Sequence, residues 1–524
     1  MTVNRKKNTK SKRTKSDKEL NKVLKAAKNI NNEIFNKTSK NLKLEQKLIL
    51  LKDSSVLNDQ TYNQLSKTYN NDKTNECMQN ILSCVPVTYL SECRDRLKQL
   101  DYTYNHTLKS RLQPTNQGDS GRCWLFSGLN SMRYRLIMDY NIDRDLEFSH
   151  AHLFYYHKIE CCNYFLEKMI ELKNVIITDP LMDFFLSGSI IDDGGTWTWF
   201  RDLVKKYGVM PRSNYDECYN TSATSEMNRV LIDKLNEFTY DLRNMKGDDN
   251  KLRKYKDNIM MPLMFKLITR FMGEPPVKFD WKFREHTADP EEMGATNTQF
   301  DFTAKDFYQK LIEPRYNIDS HVVLIHDPRK QSEYYKTYTV KHFGSMVGGK
   351  RNVMFNVPLD VMKKAASESI QEETPIWFSC DVDKCFNVER DLLDTKAYDF
   401  EKSLGTSFKL NKGERMDMRL SGATHAMLLV GVDIKEDNVK EDNVKEENGK
   451  EEYIKWRIEN SWGYGNSGQD PGHLQMSDEW FSEYVYSIVV KSDYIDKETM
   501  KLYEKHYNSP IEWPFNDPFG AVAH

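Results

Sequence analysis

Four residues of this chain have the types that thiol chemistry needs. Cys123 lies in "QPTNQGDSGRCWLFSGLN", behind a Gly-Asp-Ser-Gly-Arg turn and ahead of an apolar run. Gln117 stands six residues before it, His425 lies in "SGATHAMLLVGVD", and Asn460 lies in "WRIENSWGYGNSG". A cysteine nucleophile needs a base to take its proton and a third group to hold that base in one tautomer. His425 suits the first task, and the Asn460 amide oxygen suits the second. The Gln117 side-chain amide and the Cys123 backbone N–H are suitable donors for a developing oxyanion. The other reading of Cys123 is a buried structural thiol, which is what most cysteines are. The local pattern leaves the two open.

These residues depend on the elements that carry them. Leu125, Phe126, Leu129, Met132 and Leu136 fall near helical spacing, so a helix should begin at Cys123. An exposed thiol at that position would meet unpaired backbone N–H groups and the positive end of the helix dipole, which favour a thiolate. "AMLLVGV" and "YIKWRIE" read as neighbouring strands, with His425 at the head of one and Asn460 at the end of the next. Between them the chain repeats KEDNV, KEDNV, KEENG and KEE from Lys435 to Glu452, a solvated loop at the tip of a hairpin. Residues 225–272 read as amphipathic helices, and residues 320–356 read as strands.

Composition narrows the class. The 524 residues are 39% hydrophobic and 12% aromatic, enough for one large domain or two to three smaller ones. A net charge of −2 gives the whole molecule no pull toward nucleic acid. No apolar run approaches membrane-spanning length. The N-terminus lacks the apolar core of a signal peptide. Nine cysteines without framework spacing point to a reducing compartment, free thiols and a cytoplasmic location. Neither Cys161-Cys162 nor Cys380 and Cys385 has metal-ligand spacing, and no cofactor is called for. Residues 1–45 form a basic extension in which seven of the first 16 residues are Lys or Arg. It reads as a disordered tail, with weak nucleic-acid binding or a nuclear address as the sharper alternative. The folded domain is expected from 46 to 524.

Trp124-Leu125-Phe126-Ser127 and Asn460-Ser461-Trp462-Gly463 resemble the papain-type cysteine peptidases. The spacing departs from theirs, because His425 follows Cys123 by 302 residues and Asn460 follows it by 337. The chain is more similar to the bleomycin hydrolase (aminopeptidase C) family. It shares with that family "NQGDSGRCWLFSGLN", "DDGGTWTWF", "THAM", "ENSWG", "SDEWFSEYVY" and a terminal "NDPFGAVAH". This resemblance covers roughly residues 60–524. It implies a papain-like α+β fold, elaborated by a large, mainly helical insertion over about 200–400 and a C-terminal arm over 495–524.

The resemblance also implies a thiol exopeptidase that removes N-terminal residues from peptides, hydrolyses the amide of bleomycin and assembles as a homohexamer. In the family the arm lies in the cleft, and its terminal carboxylate meets the substrate's ammonium group. That assigns substrate contacts to Ala523 and His524. His524 stands one residue beyond the usual end, so either it is removed or its own carboxylate serves. Gly194 and Gly195 serve either as a tight turn or as open backbone on which an extended peptide pairs. Trp462 either shields the His425–Asn460 bond or is core packing. The disulfide of secreted relatives has no counterpart, since its positions hold Ser120 and Asp192. Thr424 replaces the papain-type aspartate before the histidine. Two rivals remain: an endopeptidase with the same site, and a nucleic-acid-binding ring with minor peptidase activity.

Overall fold

The computed structural model describes residues 57–287, 294–435, 452–466 and 468–522. The basic extension 1–45, the interior of the KEDNV repeat, Ala523 and His524 lie outside the described residues. The chain divides into two compact units, Met1–Leu90 and Ser91–His524, where the sequence suggests one domain from residue 46. In the first unit, helices Asp59–Asn70 and Lys73–Leu82 are capped by Asn58 and Asp72, whose side chains accept from the N–H groups of Thr61 and Thr74. No residue of either helix is buried, and Leu57, Tyr62, Leu65 and Tyr69 are exposed.

The second unit is built on a large mixed sheet. Its central strands run in the order His321–Ile325, Val485–Lys491, Ile376–Cys380, His425–Ile434, Tyr453–Glu459 and His473–Ser477, antiparallel throughout. Met354–Asn356, Lys336–Val340 and finally Ile511–Trp513 extend the His321–Ile325 side. The His425 strand is buried on both faces, which is why it reads as a continuous apolar run. Ala426, Leu428 and Val430 meet the core of the Cys123 helix. Met427, Leu429 and Val432 meet the core formed with Trp456, Phe481 and helix Leu359–Gln371.

Helix Cys123–Tyr140 packs on that strand, and helix His150–Glu171 packs on the Cys123 helix. Helices Ser225–Asn244 and Met261–Met272 then cover His150–Glu171, so residues 225–272 are helical as their periodicity suggests. The strands read in 320–356 belong to the same sheet as His425. At the two ends of the repeat, Ile434 pairs with Tyr453, and Lys435 N–H donates to the Glu452 carbonyl at 2.9 Å. Among the described residues no helix is long and apolar enough to cross a membrane.

Candidate active site

The helix begins at Cys123 itself, with Arg122 as an N-cap that makes no side-chain cap bond. Its first N–H groups therefore lack helical acceptors. The thiol is fully buried, which corrects the expectation of an exposed one. The reason lies in the strand. Ala426 N–H donates to the Cys123 Sγ at 3.3 Å, and the Ala426 carbonyl accepts from the Ser127 hydroxyl at 2.9 Å. Ser127 is one turn on from Cys123, so both groups share a helix face and bolt it to the residue after His425. Burial pushes the thiol pKa up to about 12, opposed by the N–H groups of Ala426, Trp124 and Cys123. A thiolate here needs a cationic partner; the helix start alone does not supply enough.

His425 and Asn460 are brought together because their strands pair, with Leu428 opposite Glu459. His425 Nε2 lies 2.9 Å from Asn460 Oδ1. Ser461 N–H donates to the same oxygen at 2.8 Å, which identifies it as the acceptor end of the amide. Nε2 must then carry the proton, and Nδ1 is the basic nitrogen of the neutral ring. The Trp462 ring lies 4.7 Å from the imidazole and is 38% exposed, so it covers the pair and is no core residue. Thr424 spends its groups on the neighbouring strand: its N–H donates to the Cys380 carbonyl at 2.8 Å, and its hydroxyl accepts from Val382 N–H.

Gln117 reaches the site through a short bridge that has no periodic signal in the sequence. Asn116 pairs with Trp462, Gln117 N–H donates to the Ser461 carbonyl, and Gly463 N–H donates to the Thr115 carbonyl, both at 2.9 Å. The Gln117 Oε1 accepts from the Ser461 hydroxyl at 2.7 Å, and Nε2 donates to the Ser120 carbonyl. A primary amide nitrogen has two hydrogens, and that bond uses one. Gly118 stands at φ +65°, where a side chain would also meet the Ser222 carbonyl oxygen at 2.8 Å; the turn needs its glycine.

Two further residues organise the turn and are not singled out by the sequence. Arg122 is buried, paired with Glu217 at 2.8 Å, and donates to the Gln117 carbonyl at 3.2 Å and the Ser120 hydroxyl at 2.9 Å. Asp193 is buried and joins the turn to the two-glycine segment. Its carboxylate accepts from Gly121 N–H at 3.1 Å, and its carbonyl accepts from the Trp124 indole at 2.7 Å. Burial alone would raise the Asp193 pKa. Lys158, Asn228 and Thr224 outweigh it and hold the carboxyl well below the usual range. Asp193 lies in "DDGGTW", where nothing local marks this acidic side chain as buried.

Gly194 and Gly195 are both buried. A Cβ on Gly195 would lie 2.3 Å from the Trp124 ring, so that glycine permits close packing behind the cysteine. The backbone of Gly195 also lines a pocket together with Trp197, Ala423, Pro518, Phe519 and Ala521. All nine cysteines are free, and the described residues hold no cluster of three or more side chains suited to a metal ion.

A cysteine at a helix start, bolted to a strand that carries a histidine, with an asparagine on the next strand, marks the class of the cysteine peptidases. Within it, the chain belongs to the Peptidase C1-like family, whose model matches residues 56–520. It is 34% identical to human bleomycin hydrolase over 479 residues, which is 90% of this chain and 99% of that protein. It is 34% identical to Aminopeptidase C of Lactococcus lactis subsp. cremoris over 409 residues, or 78% and 86% of the two chains. The crystal structure of PepW from Lactobacillus rhamnosis HN001 superposes with a TM-score of 0.81 and 28% identity, covering 90% of this chain and 100% of that one.

Proposed function

We propose that this chain is a cytosolic cysteine aminopeptidase of papain-like architecture, acting through Cys123, His425, Asn460 and Gln117. The observation that carries the reading is the Ala426 N–H on the Cys123 sulfur, one residue from a histidine oriented by Asn460. We assign the inserted elaboration to about residues 200–400, between the Cys123 helix and the His425 strand. His425 Nδ1 takes the thiol proton, and the sulfur attacks the carbonyl carbon of the substrate's first residue. The Cys123 N–H and the second Gln117 amide hydrogen hold the oxyanion. The imidazolium then protonates the departing amine, leaving a thioester. A water molecule, losing its proton to His425, attacks that thioester and frees the amino acid and the thiol. Bleomycin, named in the relatives, enters the same cycle through its amide.

The requirement for a free N-terminus is assigned to the C-terminal arm. Pro518 and Ala521 approach within 3.8 Å of the position a Cβ would take on Gly422, three residues before His425. We assign the contact with the substrate's ammonium group to Ala523 and His524, which follow in the chain. A panel of aminoacyl fluorogenic substrates, free and N-acetylated, tests this. The free forms should have kcat/KM values higher by about 10² or more, the scale of leaving a buried charge without its partner. Equal rates on both forms would make the enzyme an endopeptidase. The nine free thiols support the reducing compartment.

The apolar side chains on helices Asp59–Asn70 and Lys73–Leu82 support self-assembly, with a homohexamer as the proposed state. Replacing Tyr62 and Leu65 together by Asp should lower the mass measured by light scattering. An unchanged mass would remove these helices from the interface.

A further inference from the structure

We propose that Arg329 acts as a specificity-determining clamp. It holds the C-terminal segment against the cleft and thereby sets the exopeptidase character of the enzyme. The proposal rests on the reading of that segment as the selector of free N-termini. It concerns what fixes the segment in place, and the sequence gives no hint of this because the two partners are 188 residues apart.

Strand Ile511–Trp513 lies parallel to Lys336–Val340, and Lys341 N–H donates to the Trp513 carbonyl at 3.1 Å. Beyond Trp513 the backbone bonds turn inward. Asp517 donates to Pro514, Gly520 to Asp517 and Ala521 to Pro518. Among the described residues, 514–522 are therefore fastened to the body by side chains. Their ion pair is between Asp517 and Arg329, with Nη1–Oδ2 at 3.0 Å and Nη2–Oδ1 at 3.1 Å, a two-pronged contact. The other edge of the same guanidinium grips Asp327, through Nε at 3.0 Å and Nη2 at 2.8 Å. The side chains of Arg329, Asp327 and Asp517 are 4%, 0% and 7% exposed. Burial works against the charge on Arg329, and the two carboxylates outweigh it and raise its pKa above the ordinary value.

The guanidinium also lies over the rings of Trp513 and Phe519, 5.4 and 5.9 Å from their centroids. Trp513 stacks between Tyr338 and Phe519 at 4.3 and 5.1 Å. Asp517 caps the turn Pro518–Gly520 through Phe519 N–H at 3.0 Å. That turn presents Phe519 to Tyr486, whose hydroxyl donates to Ser421. Ser421 and Gly422 lead directly to His425. The clamp is thus placed to transmit to the cleft. Without Arg329, two buried carboxylates face one another with no cation between them, and the segment that can move away is the one carrying Asp517.

The test measures kcat/KM on one aminoacyl fluorogenic substrate, free and N-acetylated. The enzymes are full-length wild type, Asp517→Ala, Asp517→Glu, Arg329→Gln and a deletion of 514–524. Asp517→Ala and Arg329→Gln should cleave the acetylated form, and their preference for the free amine should fall about tenfold or more, as in the deletion. Asp517→Glu should keep most of the preference. Cleavage of a blocked substrate is a gain of activity, which unfolding cannot produce. Asp517→Ala alters only the segment, so it keeps the test decisive if Arg329→Gln folds poorly. If the deletion loses the preference and both point variants retain it, the clamp is wrong and the reading of the segment stands. A deletion that retains the preference overturns both.

Discussion

Cys123→Ala should lose about 10⁶-fold in kcat, the scale seen when the nucleophile or its base is removed from a hydrolase triad. The fold should survive in both Cys123→Ala and Cys123→Ser, but the two should differ in stability. Alanine leaves the Ala426 N–H without its acceptor in a fully buried place, which costs about 1–3 kcal/mol. The serine oxygen can accept that hydrogen bond, so its variant should melt at the higher temperature while remaining as inactive. Thermal melts of the three proteins check the order, and a serine variant no more stable than the alanine variant would contradict the Ala426 contact. Burial also changes what alkylation should report. Cys77 and Cys84 are exposed and Cys123 is not, so iodoacetamide should reach them before the nucleophile. A substrate-like inhibitor that enters the cleft should reverse that order. Turnover persisting in Cys123→Ala would end the assignment.

The parts of this site that could be read from the sequence were those with a local signal. Helical spacing after Cys123 and the apolar run after His425 each reflect one element's burial, so periodicity or its absence reported them. The pairing of the His425 and Asn460 strands was expected from two apolar runs close in the chain, with the histidine at the head of one and the asparagine at the end of the next. Burial of the thiol could not be read, because it depends on Ala426, 303 residues away. The same holds for Asp193, whose partners Lys158, Asn228 and Gly121 come from three separate segments. The family motifs named the residues that take part in chemistry. They contain Arg122, which holds the turn, and Ser127, which joins the helix to the strand, but give neither a role, because a buried guanidinium and a helix-face hydroxyl look in sequence like surface polar residues.

Gln117→Ala should lower kcat by about 10²–10³-fold with little change in KM, the effect of losing one oxyanion donor in other hydrolases. The structure sharpens the expectation by showing how the amide is held. Ser461 fixes its oxygen and the Ser120 carbonyl takes one of its hydrogens, so the donor is oriented before substrate arrives. A preorganised donor acts on the transition state and contributes little to ground-state binding, which is why kcat and KM should separate. Ser461→Ala then becomes an informative companion. It removes the bond to Gln117 Oε1 while leaving the Gln117 N–H bond to the residue 461 carbonyl and the Ser461 N–H contact with Asn460 to the backbone, which alanine retains. Its kcat should fall by less than that of Gln117→Ala, and the double variant should be no worse than Gln117→Ala alone, because both changes act through one amide. Additive losses would mean that Ser461 works by another route. Unaltered kcat in Gln117→Ala, with chemistry rate-limiting, would place the second oxyanion donor elsewhere in the cleft.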